Sequence, residues 1–266
     1  MGLIFQTHLF HLLFMYAICN LSIVPLRAEA SDRSEMVTQV LFGETFEILK
    51  QTEKWSWIRL SADQYEGWID NKQYQTISED LYITLKNNPA KCNGDLIEYL
   101  HNSKELISIP LGADLTFLDY PEINTSNYSF DGQISSGVKP KSNLLPTAFM
   151  YLNAPYLWGG KTPFGIDCSG FSQMVYRING YSIPRDASQQ AKMGEALSFI
   201  EESEVGDLAF FDNEEGNIIH VGIIMENNYI IHAHGKVRID RLDHLGILNM
   251  DTGRHTHKLR VIKKII

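Results

Sequence analysis

The first 26 residues contain no Lys, Arg, Asp or Glu. A secretory signal opens on positive charge, so this stretch lacks a signal's first element, although Ala28-Glu29-Ala30 offers a small-residue cleavage pattern. It is also too interrupted to cross a bilayer. His8, His11, Asn20 and Pro25 break an apolar run that would have to continue for about twenty residues, so no stable membrane insertion is expected. A reading that fits both absences takes Met15 as the true start, with residues 1–15 an apolar extension and Asn20 to Ile23 an alternating strand that opens the first domain. A cytoplasmic protein is then expected. Export to the periplasm or cell envelope is the alternative if residues 1–30 act as a signal.

Cysteine is scarce as well. Cys19, Cys92 and Cys168 are too few and too scattered for a disulfide framework or a zinc site of paired CxxC ligands, and their odd number leaves at least one free thiol. Positive charge is in deficit: 23 Lys and Arg against 32 Asp and Glu give a net charge of −9, which argues against nucleic acid as a partner. What is present is globular composition, 44% hydrophobic and 21% charged over 266 residues, enough for one large domain or two to three small ones.

Short β-rich runs at Val37 to Leu41, Thr45 to Leu49, Trp55 to Leu60 and Gly67 to Ile69 predict a small barrel over residues 16–75. Its Trp55 and Trp57 serve either the core or a contact face. Residues 76–135 fit a second, degenerate barrel, with a helix-compatible Gly94 to Leu106 and strands at Ile107 to Phe117 and Tyr128 to Phe130. A Gly, Ser, Lys and Pro-rich stretch then forms a linker over 136–143. The last domain spans 144–266.

In that domain Cys168 follows a Gly- and Pro-rich turn and precedes Phe171, Met174, Val175 and Ile178, one apolar stripe of a helix. At the first turn of a helix, unsatisfied N–H groups and the dipole favour a thiolate. Downstream, Ile218 to Met225 and Tyr229 to His234 read as a hairpin. A three-residue loop places His220 opposite His234 and diagonal to His232, all on one face. Cys168, His220 and a second histidine then suit a nucleophile, its base and an orienting group. A zinc site from Cys168, His220 and His232 is the competing arrangement, and geometry alone does not choose between His232 and His234.

At these residues the chain resembles the NlpC-type cysteine peptidases. The likeness runs from about Leu144 to Ile262 and rests on Asp-Cys-Ser-Gly-Phe at 167–171, Gly-Asp-Leu-Ala-Phe-Phe at 206–211, His-Val-Gly-Ile at 220–223 and Ile-His-Ala at 231–233. It implies a papain-like α/β (α+β) catalytic domain preceded by two small SH3-like β-barrels. Cys168 is then the nucleophile, His220 the general base and His232 the orienting residue, with no cofactor. The Trp-Gly-Gly-Lys-Thr-Pro-Phe-Gly-Ile-Asp-Cys run at 158–168 resembles the γ-D-glutamyl-L-diamino-acid endopeptidases, of dipeptidyl-peptidase VI type. The resemblance implies a murein peptide with a free N-terminal L-Ala as substrate, in a pocket of Tyr156, Trp158, Asp167, Ser169 and Asp186 with Tyr65 and Glu29 as lids from the first barrel. Asp186 also fits a helix N-cap, Trp158 also fits core packing, and His234 departs from the small residue expected there. Two other functions remain open, a non-catalytic peptidoglycan-binding protein and an acyltransferase or amidase using the same Cys-His pair.

Overall fold

The computed structural model describes residues 15–122 and 124–266, so nearly all of the predicted 1–15 extension lies outside the described residues. Met15 itself opens a strand, β1 (Met15–Ile18). The strand predicted over 20–23 is displaced. Residues 19–22 bend between the strands, the Cys19 and Ser22 carbonyls accepting the N–H groups of Gly43 and Phe42, and β2 runs Ile23–Arg27. The predicted runs then appear as β3 (Met36–Leu41), β4 (Thr45–Gln51), β5 (Trp55–Leu60) and β6 (Glu66–Asp70), and β7 (Gln75–Ile77) completes a seven-stranded sheet ordered β3-β2-β6-β5-β4-β1-β7. Alternation along these strands sends Val24, Leu26, Val40, Phe46, Ile48, Ile58 and Ile69 into one core. Trp57 and Trp68 fall on the other face, edge to face at 5.6 Å, and the Trp57 indole donates to Glu66 at 3.0 Å.

The next segment departs further from expectation. Ser78 caps α1 (Glu79–Asn87), a helix the pattern did not reveal, by accepting the Leu81 N–H. The helix expected over Gly94 to Leu106 is absent. After β8 (Lys91–Asn93) the chain makes a hairpin of β9 (Ile97–His101) and β10 (Leu106–Pro110), because Asn102 Oδ1 accepts the N–H groups of Lys104 and Glu105 and so closes a turn inside the predicted helix. β11 (Ser129–Phe130) joins β9, and β12 (Ile134–Ser136) pairs with β8 up to the start of the predicted linker.

The C-terminal domain begins with α2 (Leu144–Phe149) and a small ribbon, β13 (Lys161–Thr162) with β14 (Gly165–Ile166), which leads directly into α3 (Cys168–Ile178). A single turn, α4 (Ala187–Gln190), follows. The remainder is antiparallel sheet: β15 (Glu195–Leu197), β16 (Leu208–Asp212), β17 (Ile218–Met225), β18 (Tyr229–His234), β19 (Lys236–Asp243), β20 (Gly246–Asn249) and β21 (Arg254–Lys264). Since β21 pairs with both β16 and β20, six of these strands close into a barrel, with β15 outside on β21. Phe171, Met174, Val175 and Ile178 of α3 pack on the outer face of that barrel against Val221, Ile223, Ile231 and Ala233. Ser172, Gln173 and Tyr176 are buried too. The helix is covered on more than its predicted stripe because neighbouring segments lie over its other faces; Gln173, for example, donates to Asp63 of the first barrel at 2.8 Å.

Candidate active site

Asp167 sets the start of α3. Its Oδ1 accepts the Gly170 N–H at 2.7 Å as N-cap, and Oδ2 accepts the Gly159 N–H at 2.8 Å. Arg185, almost wholly buried, grips the same carboxylate with both terminal nitrogens at 3.0 and 2.6 Å, bonds Ser169 Oγ at 2.9 Å, and reaches Thr38 of the first barrel through Nε at 2.8 Å. Asp167 and Ser169, expected in the pocket wall, are both buried. Their polar atoms are already engaged, and what they do is hold Cys168 in place. Arg185 was passed over in the sequence because a lone arginine carries no spacing signal.

The hairpin turns on Glu226–Asn228, with Asn227 and Asn228 both in the left-handed region that asparagine tolerates. Three loop residues set the register Met225↔Tyr229 and Gly222↔His232, and His220, His232 and His234 share a face. His220 Nε2 lies 2.8 Å from His232 Nδ1, and His232 Nε2 lies 3.0 Å from Asp240 Oδ2. Asp240, which the sequence reading missed, is also held by Arg238 at 2.8 Å and by the Met250 N–H at 2.9 Å. Although burial alone would raise it, the bonds from His232, Arg238 and Met250 bring its carboxyl down to about 2. It is therefore a carboxylate and can only accept. His232, kept neutral by burial, must donate from Nε2 and accept at Nδ1, so His220 donates from Nε2. That assignment leaves the lone pair of His220 on Nδ1. It also weakens the zinc arrangement, because both histidines spend nitrogens on one another and on Asp240.

The Cys168 sulfur lies against the N–H groups of Val221, which follows His220, and of Ser169. The helix start does not make it a thiolate. Burial pushes the thiol up to about 12, Asp167 adds to the rise, and the two N–H groups and Arg185 offset only part of it. Burial first, and then the neighbouring imidazoles of His232, His257 and His234, push His220 well below its usual value. The resting pair is thus a neutral thiol and a neutral imidazole.

The first barrel forms one wall of the site. Trp158 is 61% exposed, which removes the core-packing alternative, and its indole donates to Glu35 at 2.6 Å. Gly159 has φ +75 and sits so close to β3 that a Cβ would come within 2.3 Å of the Met36 carbonyl oxygen. Lys161 bonds Gln39 through its N–H and Glu44 through Nζ, at 2.8 and 2.9 Å. Tyr156 is exposed, yet partial burial of its hydroxyl, followed by the nearby Cys168 and Asp167, raises that hydroxyl to about 12. The side chain of Asp186 makes no cap bond to α4 and instead accepts from the Tyr65 hydroxyl at 3.3 Å. Glu29, expected as a lid over the substrate amine, is exposed with its backbone N–H bonded to Ser34, and in the same loop Glu35 is the residue bonded to Trp158.

Comparison with known proteins bears on this geometry. Residues 153–253 match the NlpC/P60 family, and residues 26–73 match the bacterial dipeptidyl-peptidase SH3 domain. The chain is 31% identical over 217 residues to the gamma-D-glutamyl-L-lysine dipeptidyl-peptidase of Bacillus subtilis (strain 168), covering 74% of this chain and 71% of that protein. It is 27% identical over 259 residues to the dipeptidyl-peptidase 6 of Lysinibacillus sphaericus, covering 86% and 92%. In fold it resembles the crystal structure of an NlpC/P60 family protein from Bacillus cereus ATCC 10987, with a TM-score of 0.75 at 19% identity over 94% of this chain and 99% of that one.

Proposed function

The chain belongs to the NlpC/P60 family of cysteine peptidases, and from that premise we propose that it cleaves the γ-D-glutamyl bond to an L-diamino acid in murein stem peptides whose N-terminal L-Ala is free. The observation that carries the reading is the fixed order Asp240, His232, His220, which leaves the lone pair on Nδ1 of His220, the residue next in sequence to Val221, whose N–H meets the Cys168 sulfur. As the sulfur attacks the γ-carbonyl carbon of D-Glu, His220 Nδ1 takes its proton. The carbonyl oxygen becomes an oxyanion facing the Cys168 N–H at the start of α3. Collapse expels the diamino acid, whose α-amine takes the proton back from His220. A water, deprotonated by the same imidazole, then hydrolyses the acyl-thioester and frees L-Ala-D-Glu.

The free amine of the substrate calls for an acceptor in a closed site, and Asp186 with Tyr65 supports that part of the reading. The Tyr65 hydroxyl occupies Asp186 Oδ1 and leaves Oδ2 for an ammonium. A cytoplasmic site of action is part of the proposal, because cleavage after Ala30 would strip β1 and β2 from the first sheet and unpair β3. The test is mass spectrometry of products from L-Ala-γ-D-Glu-diaminopimelate and its N-acetylated form, with Cys168→Ala as control. Release of L-Ala-D-Glu from the free-amine peptide alone is the expected result. Cleavage of neither peptide would overturn the assignment.

A further inference from the structure

Two imidazoles at the same end of the closed barrel take no part in the chemistry above. His234, at the end of β18, is exposed, and His257, on β21, is partly buried. The ring of His257 lies nearly parallel to that of His220, with centroids 4.1 Å apart and planes 23° apart. Phe211 on β16 meets both rings, at 5.8 Å from His220 and 6.0 Å from His257. His234 stands edge-on to His257 at 4.8 Å, and His257 Nδ1 is bonded to Thr256 Oγ1 at 2.9 Å.

We infer that His257 is a positioning residue for the general base, its ring face holding the plane of His220 in the orientation in which Nδ1 can take the Cys168 proton. The bond from His220 Nε2 to His232 fixes one atom of the ring. One bond leaves the ring free to tilt about it, and a stacked face removes that freedom. The role requires a partner that stays uncharged when His220 takes up the thiol proton. The titratable groups facing His257 are His220 from β17, His232 and His234 from β18 and Asp240 from β19, so possible cations outnumber the one carboxylate. Burial first, and then His232 and His234, bring His257 down to about 4, so it presents a neutral face through the neutral range. Among the described residues no hydrogen bond to the rest of the site ties His257 in place, and its sequence context, Thr256-His257-Lys258 in an exposed strand, carries no catalytic pattern.

The inference rests on His220 being the base, and the test separates the two. His257→Ala and His257→Phe would be compared with wild type by kcat and KM on the free-amine peptide, by the pH profile of kcat, and by the rate at which iodoacetamide alkylates Cys168. His257→Ala is expected to lower kcat roughly tenfold or more with little change in KM, and to slow alkylation in proportion. His257→Phe keeps a flat, uncharged face and is expected to restore both rates to within about threefold, with an unchanged profile above about pH 5. Wild-type kcat and alkylation in His257→Ala would overturn the inference. So would an effect confined to KM, or a folded His257→Phe as impaired as the alanine variant. If wild type cleaves no peptide, the function proposed above fails, while the alkylation rates still decide whether His257 holds the ring.

Discussion

The Tyr65 hydroxyl donates to Asp186 Oδ1 at 3.3 Å across the junction between the first barrel and the catalytic domain, 121 residues apart in sequence. Burial, then Asp186, raises the Tyr65 hydroxyl to about 12, so it remains a donor at any working pH. If this pair receives the substrate ammonium, Asp186→Asn and Tyr65→Phe each remove a charge-assisted contact of about 1.5–3 kcal/mol, which is roughly 10- to 150-fold in kcat/KM. The loss is expected on the free-amine peptide. Kinetics on both peptides check this: equal losses on the free and acetylated substrates would mean that the pair supports the fold rather than the amine.

Asp240 governs the tautomer of His220 through His232, and an amide in its place can reverse the chain. Asp240→Asn can turn its NH2 toward His232 Nε2, which then becomes the acceptor, makes His232 Nδ1 the donor and puts the lone pair of His220 on the wrong nitrogen. The expected effect is a fall in kcat of about 10²–10⁴-fold, as for wrong-tautomer substitutions in hydrolytic triads, with KM near wild type. A single-turnover assay with the free-amine peptide measures it. Wild-type acylation in the Asn variant would show that the relay does not set the base.

What the sequence disclosed about this site and what it hid have different physical causes. Cys168 and His220 were legible because a helix start and a strand alternation place them, whereas only the family resemblance separated His232 from His234; the three-residue loop that aligns them became visible in the left-handed backbone of Asn227 and Asn228. Asp240 and His257 were hidden because they come from strands whose pairing partners no local pattern reveals. Arg185 was hidden for another reason: burying an arginine depends on a carboxylate 18 residues away, and nothing short-range signals that. Asp167 was seen, but its bonds to Gly159, Gly170 and Arg185 were not, since motif position says where a carboxylate lies and not which donors fill it. The helix expected across Gly94 to Leu106 failed on the Asn102 turn, where a side-chain acceptor outcompeted helical bonding.

The neutral resting pair predicts how Cys168 reacts with electrophiles. With its thiol raised to about 12 by burial, Cys168 reacts with iodoacetamide near pH 7 only as His220 takes its proton, so alkylation should be slow there and climb only as pH nears the thiol's own value. Cys19 and Cys92, raised to about 12 and about 11, lie at 0% and 1% exposure against 8% for Cys168, so access rather than acidity should make Cys168 the first to label. Peptide mapping after timed labelling reads both. Labelling at pH 6 as fast as that of a free thiolate would show a preformed thiolate and imidazolium instead.

Glu44 links acid stability to the seat of the active site. It is 4% exposed, accepts the Leu41 N–H at 2.8 Å, and faces Lys161 Nζ at 2.9 Å and the Arg177 guanidinium. Burial raises its carboxyl, but Lys161 and Arg177 more than reverse this and bring it from 4.5 down to about 2. A folded value below the unfolded one means that the stabilisation is fully present above about pH 4.5 and is lost as pH falls toward 2, an effect on the order of 3 kcal/mol. Glu44→Gln removes the carboxylate and leaves two buried cations short of a partner, at a cost of about 3–5 kcal/mol near neutral pH. Because Lys161 belongs to the ribbon that leads into α3, the variant should also loosen the barrel wall around Trp158 and lose kcat/KM at temperatures well below its melting point. Urea unfolding of both proteins at several pH values between 2 and 7 checks the linkage. The wild-type curve should fall steeply over the acid range while the Gln variant starts lower and falls less, and parallel curves would place the acid-sensitive group elsewhere.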